Sequence, residues 1–181
     1  ELHVRQDDIV EPGQILAQLD PTQTESDVEE STARYRAALA TAARLEAEVE
    51  QRPLRFPPAL DLFPALRAAE TELYEARQAS LEESLRWIGE SIDLVSDELE
   101  ITESLTNIGA ASNVEVIRLR RQLVELELKQ VEIRSQYVVQ AREELAKANA
   151  EVEALTPVIR GRSDSLRRLT LRSPVRGIVK N

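Results

Sequence analysis

The sequence predicts a mainly α chain, a long antiparallel helical hairpin of three coiled-coil helices inserted between two halves of a small β module. Three observations predict it. Apolar residues alternate steps of four and three through Leu81, Leu85, Ile88, Ile92, Val95 and Leu99, and again through Val138, Ala141, Leu145, Ala148, Val152, Leu155 and Ile159. That is the spacing of a supercoiling seam. Between the two runs, residues 105 to 116 (Leu-Thr-Asn-Ile-Gly-Ala-Ala-Ser-Asn-Val-Glu-Val) break the pattern. Finally, the two ends of the chain carry short β-like runs and turn residues in place of heptads.

Composition agrees with a seam more than with a wide core. The 181 residues are 42% hydrophobic but only 3% aromatic, with no Met, so there is little with which to fill a globular interior. Five glycines mean few turns and long elements.

In chain order, residues 1–21 form the first half of the β module. Two β-like runs flank Glu11-Pro12-Gly13; Pro12 presets its φ and Gly13 accepts a positive one, which predicts a type II turn closing a small hairpin. Asp20 is the expected cap of the first helix, with Pro21 at its first position. Residues 22–168 form the helical hairpin. Its first helix, about 22–51, has Val28, Tyr35, Ala38, Ala42, Leu45 and Val49 on its seam and stops at Arg52-Pro53.

A Pro-rich loop, 52–64, holds prolines 53, 57, 58 and 64 and both Phe residues, Phe56 and Phe63, which are expected to fold back over the helix pair. The second helix spans about 65–107, with Trp87 packing beside its seam. The tip is 107–112, where Asn107 and Gly109 suit the left-handed conformation and Ser112 or Asn113 suits the next cap. The third helix, about 113–168, is roughly 80 Å long and is expected to kink at Pro157 and Gly161, since its seam stays in phase to Leu166, broken only by Arg162. Near the tip it carries two seams, Leu119, Leu123, Leu126, Ile133, Tyr137 and Val124, Leu128, Val131, Val138. One meets the second helix and the other is free for a neighbour. Helices one and two laid end to end would span roughly 105 Å, more than helix three, so an overlapping three-helix section is expected. Residues 169–181 form the second β half, with Pro174 at a bend and Gly177 at a turn.

A net charge of −10 argues against a nucleic-acid partner. The chain has no Cys and one His, His3, so neither a thiol nucleophile, a catalytic triad nor a multi-His metal site can be assembled. The expectation is no enzyme, no cofactor and no metal.

Val10-Glu-Pro-Gly-Gln-Ile-Leu-Ala-Gln-Leu-Asp20 taken with Leu171-Arg-Ser-Pro-Val-Arg-Gly-Ile-Val179 resembles the split lipoyl-like (barrel-sandwich hybrid) domain of periplasmic adaptors, or membrane fusion proteins, which a helical hairpin interrupts. The long hairpin and its turn resemble the HlyD-type adaptors of type I secretion systems. The resemblance implies a periplasmic subunit of a Gram-negative bacterium that bridges an inner-membrane ABC transporter to a TolC-type outer-membrane channel for a secreted protein substrate. It also implies a parent chain anchored in the inner membrane outside residues 1–181 and a homo-hexameric sleeve. A multidrug efflux adaptor is the alternative, and a plain structural coiled coil a further one. Adaptors that meet TolC-type channels carry an Arg, Leu, Ser pattern at the tip; Leu105 and Ser112 match it, and Ile101 stands where the Arg would be. Leu105, Asn107, Gly109 and Ser112 are thus the expected docking residues, and Pro12, Gly13, Pro174 and Gly177 the structural turns.

Overall fold

A computed structural model describes residues 2–180. The elements run β1 (Ile9–Val10), β2 (Ile15–Gln18), α1 (Thr22–Glu50), a 3-10 turn (Pro58–Leu60), α2 (Pro64–Asn107), α3 (Asn113–Arg168), β3 (Thr170–Arg172) and β4 (Gly177–Ile178). The expected β halves begin at residue 1 and end at residue 181, positions outside the described residues. Contacts divide the chain into two compact units, Glu1–Leu39 with Lys147–Asn181, and Ala40–Ala146. No helix among the described residues is long and apolar enough to cross a membrane.

In the first unit the strands pair across the chain. β1 lies antiparallel to β4, with Val10 opposite Gly177, and β2 antiparallel to β3, with Gln18 opposite Thr170 and a bulge between Ile15 and Ala17. The expected local hairpin is therefore corrected. The turn at Pro12-Gly13 does form, with Gly13 at φ +84° and the Gln14 N–H donating to the Glu11 carbonyl, but β1 and β2 pair with C-terminal strands and not with each other. Two-stranded ribbons this short are marginal alone. Each end of the chain supplies the ladder partner that the other lacks, and Val4 and Val10 are buried beneath the result.

Asp20 caps α1 by accepting from the Thr22 N–H and hydroxyl at 3.0 and 2.7 Å. Those hydrogen bonds hold its carboxyl below the ordinary range. The first intrahelical bond runs from Glu25 to the Pro21 carbonyl, so Pro21 sits one place before the first helical residue, where its missing N–H leaves nothing unpaired. α3 continues unbroken through Pro157 and Gly161. Arg162, the interruption in its seam, reaches α1: its guanidinium donates to the Asp27 carbonyl at 2.7 Å and to the buried Ser31 hydroxyl.

In the second unit α1, α2 and α3 lie side by side. Along α1, Thr41 and Arg44 bond Glu70 of α2 and Glu48 pairs with Arg77, so α1 and α2 run parallel, while Arg77–Glu144 and Glu103–Arg120 pair α2 antiparallel with α3. α1 ends in a double bond pattern, Gln51 N–H to Glu48 and Arg52 N–H to Ala47, with Gln51 left-handed at φ +51°. The loop is tied down. Tyr74 donates to the Arg52 carbonyl, Arg67 lies 5.5 Å from the Phe56 ring centroid, and Leu60 is fully buried beside half-buried Phe56 and Phe63. Pro64 opens α2 at its first position. Leu45, Leu60 and Leu119 are the largest fully buried apolar side chains among the described residues of this unit, each contributing about 2 kcal/mol of burial.

Polar groups are also buried here. The Arg44 guanidinium, 4% exposed, bonds Glu70 of α2 at 2.6 Å and Glu48 one turn on. Glu48 is wholly buried, and its other oxygen lies 3.0 Å from Arg77 Nε. That contact is ionic, without the alignment of a hydrogen bond. Arg77 pairs in turn with Glu144 of α3. Burial opposes the charge on Arg44, but the hydrogen bonds to Glu70 and Glu48 outweigh it and raise its pKa. Burial, with the Glu48 carboxylate beside it, pushes Tyr137 up to about 12.

Candidate functional site

The tip is built from a helix stop and a helix start with five residues between α2 and α3. Ala110 donates to the Leu105 carbonyl at 2.8 Å and Gly109 to the Thr106 carbonyl at 3.0 Å, the paired bonds of a Schellman stop, with Gly109 left-handed at φ +75°. Ser112 then caps α3: its hydroxyl accepts from the Val114 N–H at 3.2 Å and its carbonyl from Glu115. Asn107 is corrected from its expected left-handed role. It is the last residue of α2, because one positive φ, at Gly109, suffices for the reversal.

All four expected tip residues, Leu105, Asn107, Gly109 and Ser112, are exposed, and the turn brings them together. Residues 104–114 contain no charged side chain. Two ion pairs stand behind them, Glu103–Arg120 at 2.8 Å across the helices and Glu115–Arg118 along α3. Beneath the surface Val116 and Leu119 are buried and fasten α3 to α2. The tip is thus an uncharged cap on a stiff base, suited to end-on apolar contact because little charge would need desolvation.

Three neighbours on the tip surface were not among the expected residues. Ile101 is 62% exposed, Ile108 77% and Val114 73%. Ile101 and Ile108 continue a stripe of strict heptad spacing with Trp87 and Leu94, also exposed. Trp87 therefore does not pack beside the seam as expected; the Arg86 guanidinium lies 5.7 Å from its ring centroid. On α3, Ile117, Val124, Leu128 and Val131 are exposed while Leu119, Leu123, Leu126 and Ile133 turn inward. The signal for the α2 stripe was a second heptad register, hidden behind the stronger inward one.

In the β unit, Pro174 lies in the bend held by the buried Ser173, whose hydroxyl donates to the Val175 carbonyl. Gly177 is corrected: it lies in strand β4 opposite Val10, because the bend is complete by Arg176. The Pro12-Gly13 turn is clamped from the other half of the module. Gly13 donates to the Ser173 carbonyl at 2.7 Å, Arg172 donates to the Gly13 carbonyl and Arg176 pairs with Glu11. Among the described residues no group of three or more His, Asp or Glu side chains is placed to hold a metal ion.

No protein-family model matches the sequence, and no curated protein matches it. Among solved structures, the soluble domain of LipC, a membrane fusion protein of a type I secretion system, matches over 99% of this chain and 86% of its own, with a TM-score of 0.78 at 21% identity. The periplasmic adaptor protein EmrA matches over 99% of this chain and 61% of its own, with a TM-score of 0.45 at 23% identity. The chain has the fold of the LipC soluble domain, three helices with small antiparallel strands contributed by both ends.

Proposed function

We propose that this chain belongs to the periplasmic adaptor subunit of a type I protein secretion system. It bridges an inner-membrane ABC transporter to a TolC-type outer-membrane channel, with the secreted protein passing between them. The observation that carries the reading is the tip: Leu105, Ile108 and Val114 exposed around an uncharged reversal that a Schellman stop and the Ser112 cap hold rigid. The fold shared with the LipC soluble domain supports the class.

On this reading the β unit is a split lipoyl-like module. The exposed stripes Trp87, Leu94, Ile101 on α2 and Val124, Leu128, Val131 on α3 are the sides along which copies pack into a hexameric sleeve. The mechanism is mechanical: the hairpin spans, the tip docks and the sides seal. The third helix and the Pro-rich loop favour the secretion type over an efflux adaptor, whose hairpin is simpler.

The test is secretion by the parent system with charge placed at the tip, Leu105→Asp and Ser112→Arg, beside circular dichroism of the same chains. Retained helicity with export lost is the expected result. Continued export by normally folded variants refutes docking at this tip.

A further inference from the structure

Two cavities flank the α2–α3 pair where α1 ends. The first, a groove of about 310 Å³ beyond the end of α1, is lined by Gln51, Tyr74, Leu85, Arg134, Tyr137 and Val138 among others. The second, about 500 Å³, has Arg77, Ser80, Ser84 and Gln136 on its walls. Leu81 and Tyr137, on the seam, border both. The residues flanking the seam differ, so the cavities lie on opposite faces of the helix pair.

The exposed apolar stripes divide between those faces. Trp87 stands one heptad beyond Ser80 and three residues beyond Ser84, so the stripe of Trp87, Leu94 and Ile101 runs along the face of the second cavity. On α3, Val131 stands one heptad before Val138 and Val124 two, so that stripe runs along the face of the first. Each hairpin thus carries a projecting patch on one face and a recess on the other, as a heterologous contact repeated from copy to copy requires. Charge favours the same pairing. Between residues 82 and 103 α2 carries eight acidic side chains and one basic, so two α2 helices repel, while α3 between 113 and 134 carries five basic and four acidic. Arg134, exposed beside the groove, forms no ion pair among the described residues.

We propose that Trp87 of one copy seats in the groove beyond the end of α1 of a second copy, against Leu85 and Val138, with the Arg134 guanidinium over its ring. Tryptophan and arginine are enriched among the side chains that anchor interfaces, and the two attract through the ring face. Copies standing side by side with tips level need no axial shift to make this contact. Trp87 is two residues, about 3 Å, along α2 from Leu85, and a helical side chain covers the turn before its own Cα. The same placement sets Leu94 at the height of the second copy's Leu128, since Leu94 is nine residues from Glu103 and Leu128 eight from Arg120, and Glu103 and Arg120 pair across the helices. The contact rests on the side-by-side packing proposed above and not on what the tip meets.

The chain has no Cys, so single cysteines report single contacts. Glu90→Cys, beside Trp87 on α2, and Ser135→Cys, beside Arg134 on α3, are both at exposed positions. Chains carrying one or the other are mixed in concentrated solution and treated with a short thiol crosslinker. The mixture should link, and neither chain should link alone. An unlinked mixture gives the groove to some other partner and overturns the proposal, as do links formed by either chain by itself. In the same mixture Trp87→Ala should weaken association roughly thirty-fold, and Arg134→Glu, which sets a carboxylate against the acidic α2, should also reduce linking. Both side chains are exposed, so neither change threatens the fold. Linking that survives Trp87→Ala undiminished overturns the seat. Leu105→Asp at the tip should leave linking as it was, so loss of docking and loss of this contact are read separately.

Discussion

Replacing Glu48 by Ala is the most demanding test of how the three-helix section is held. The carboxylate is wholly buried between Arg44, 4% exposed, and Arg77, whose side chain is 22% exposed. Removing one member of a buried ion pair costs about 3–5 kcal/mol, because the remaining charge is left uncompensated. Here each arginine keeps one carboxylate, Glu70 for Arg44 and Glu144 for Arg77, so the low end, about 3 kcal/mol, is expected. With a urea slope of about 2 kcal/mol/M, the unfolding midpoint should fall by roughly 1.5 M. Circular dichroism and the fluorescence of Trp87, the one tryptophan, which lies in the same unit, would follow it. The control is Glu103→Ala, which removes an ion pair with side chains 64% and 39% exposed and should cost no more than about 1 kcal/mol. A Glu48→Ala shift no larger than that of the control refutes the reasoning.

Further outcomes follow from backbone and pH. Gln51 holds a left-handed conformation that glycine adopts without strain, so Gln51→Gly should stabilise the chain by about 0.5–1 kcal/mol, read from urea unfolding. At Gly109 an added Cβ would meet nothing within 4 Å. Gly109→Ala should therefore lose about 1 kcal/mol through the backbone alone, and loss of helicity would refute this. Tyr137 is raised to about 12 in the folded state from an ordinary 10.0. The folded chain then holds this proton more tightly, so its contribution is complete below pH 10 and is lost as pH rises toward 12. The Tyr137→Phe difference titration of tyrosinate absorbance should have its midpoint near the upper value. A midpoint at the ordinary value would refute the assignment.

The three helices were legible in the sequence, since heptad seams, prolines at 53 and 64 and the Gly109-Ser112 break are local signals that act within a few residues. It also indicated the uncharged tip, because a run without charge is visible at once. Arg162 read as a flaw in a seam, and only packing reveals that its guanidinium ends on the Asp27 carbonyl and Ser31. Strand partners were likewise hidden: β1 and β2 flank a valid turn, yet their ladders are completed by residues from the other end of the chain, a non-local choice that turn chemistry cannot specify. Trp87 and Gly177 were misplaced for a related reason, as helical periodicity does not say which of two apolar stripes faces inward and a glycine does not say whether it turns or pairs. Tertiary structure alone brought Arg44, Glu48, Glu70 and Arg77 together, because charges on separate helices meet only when those helices pack.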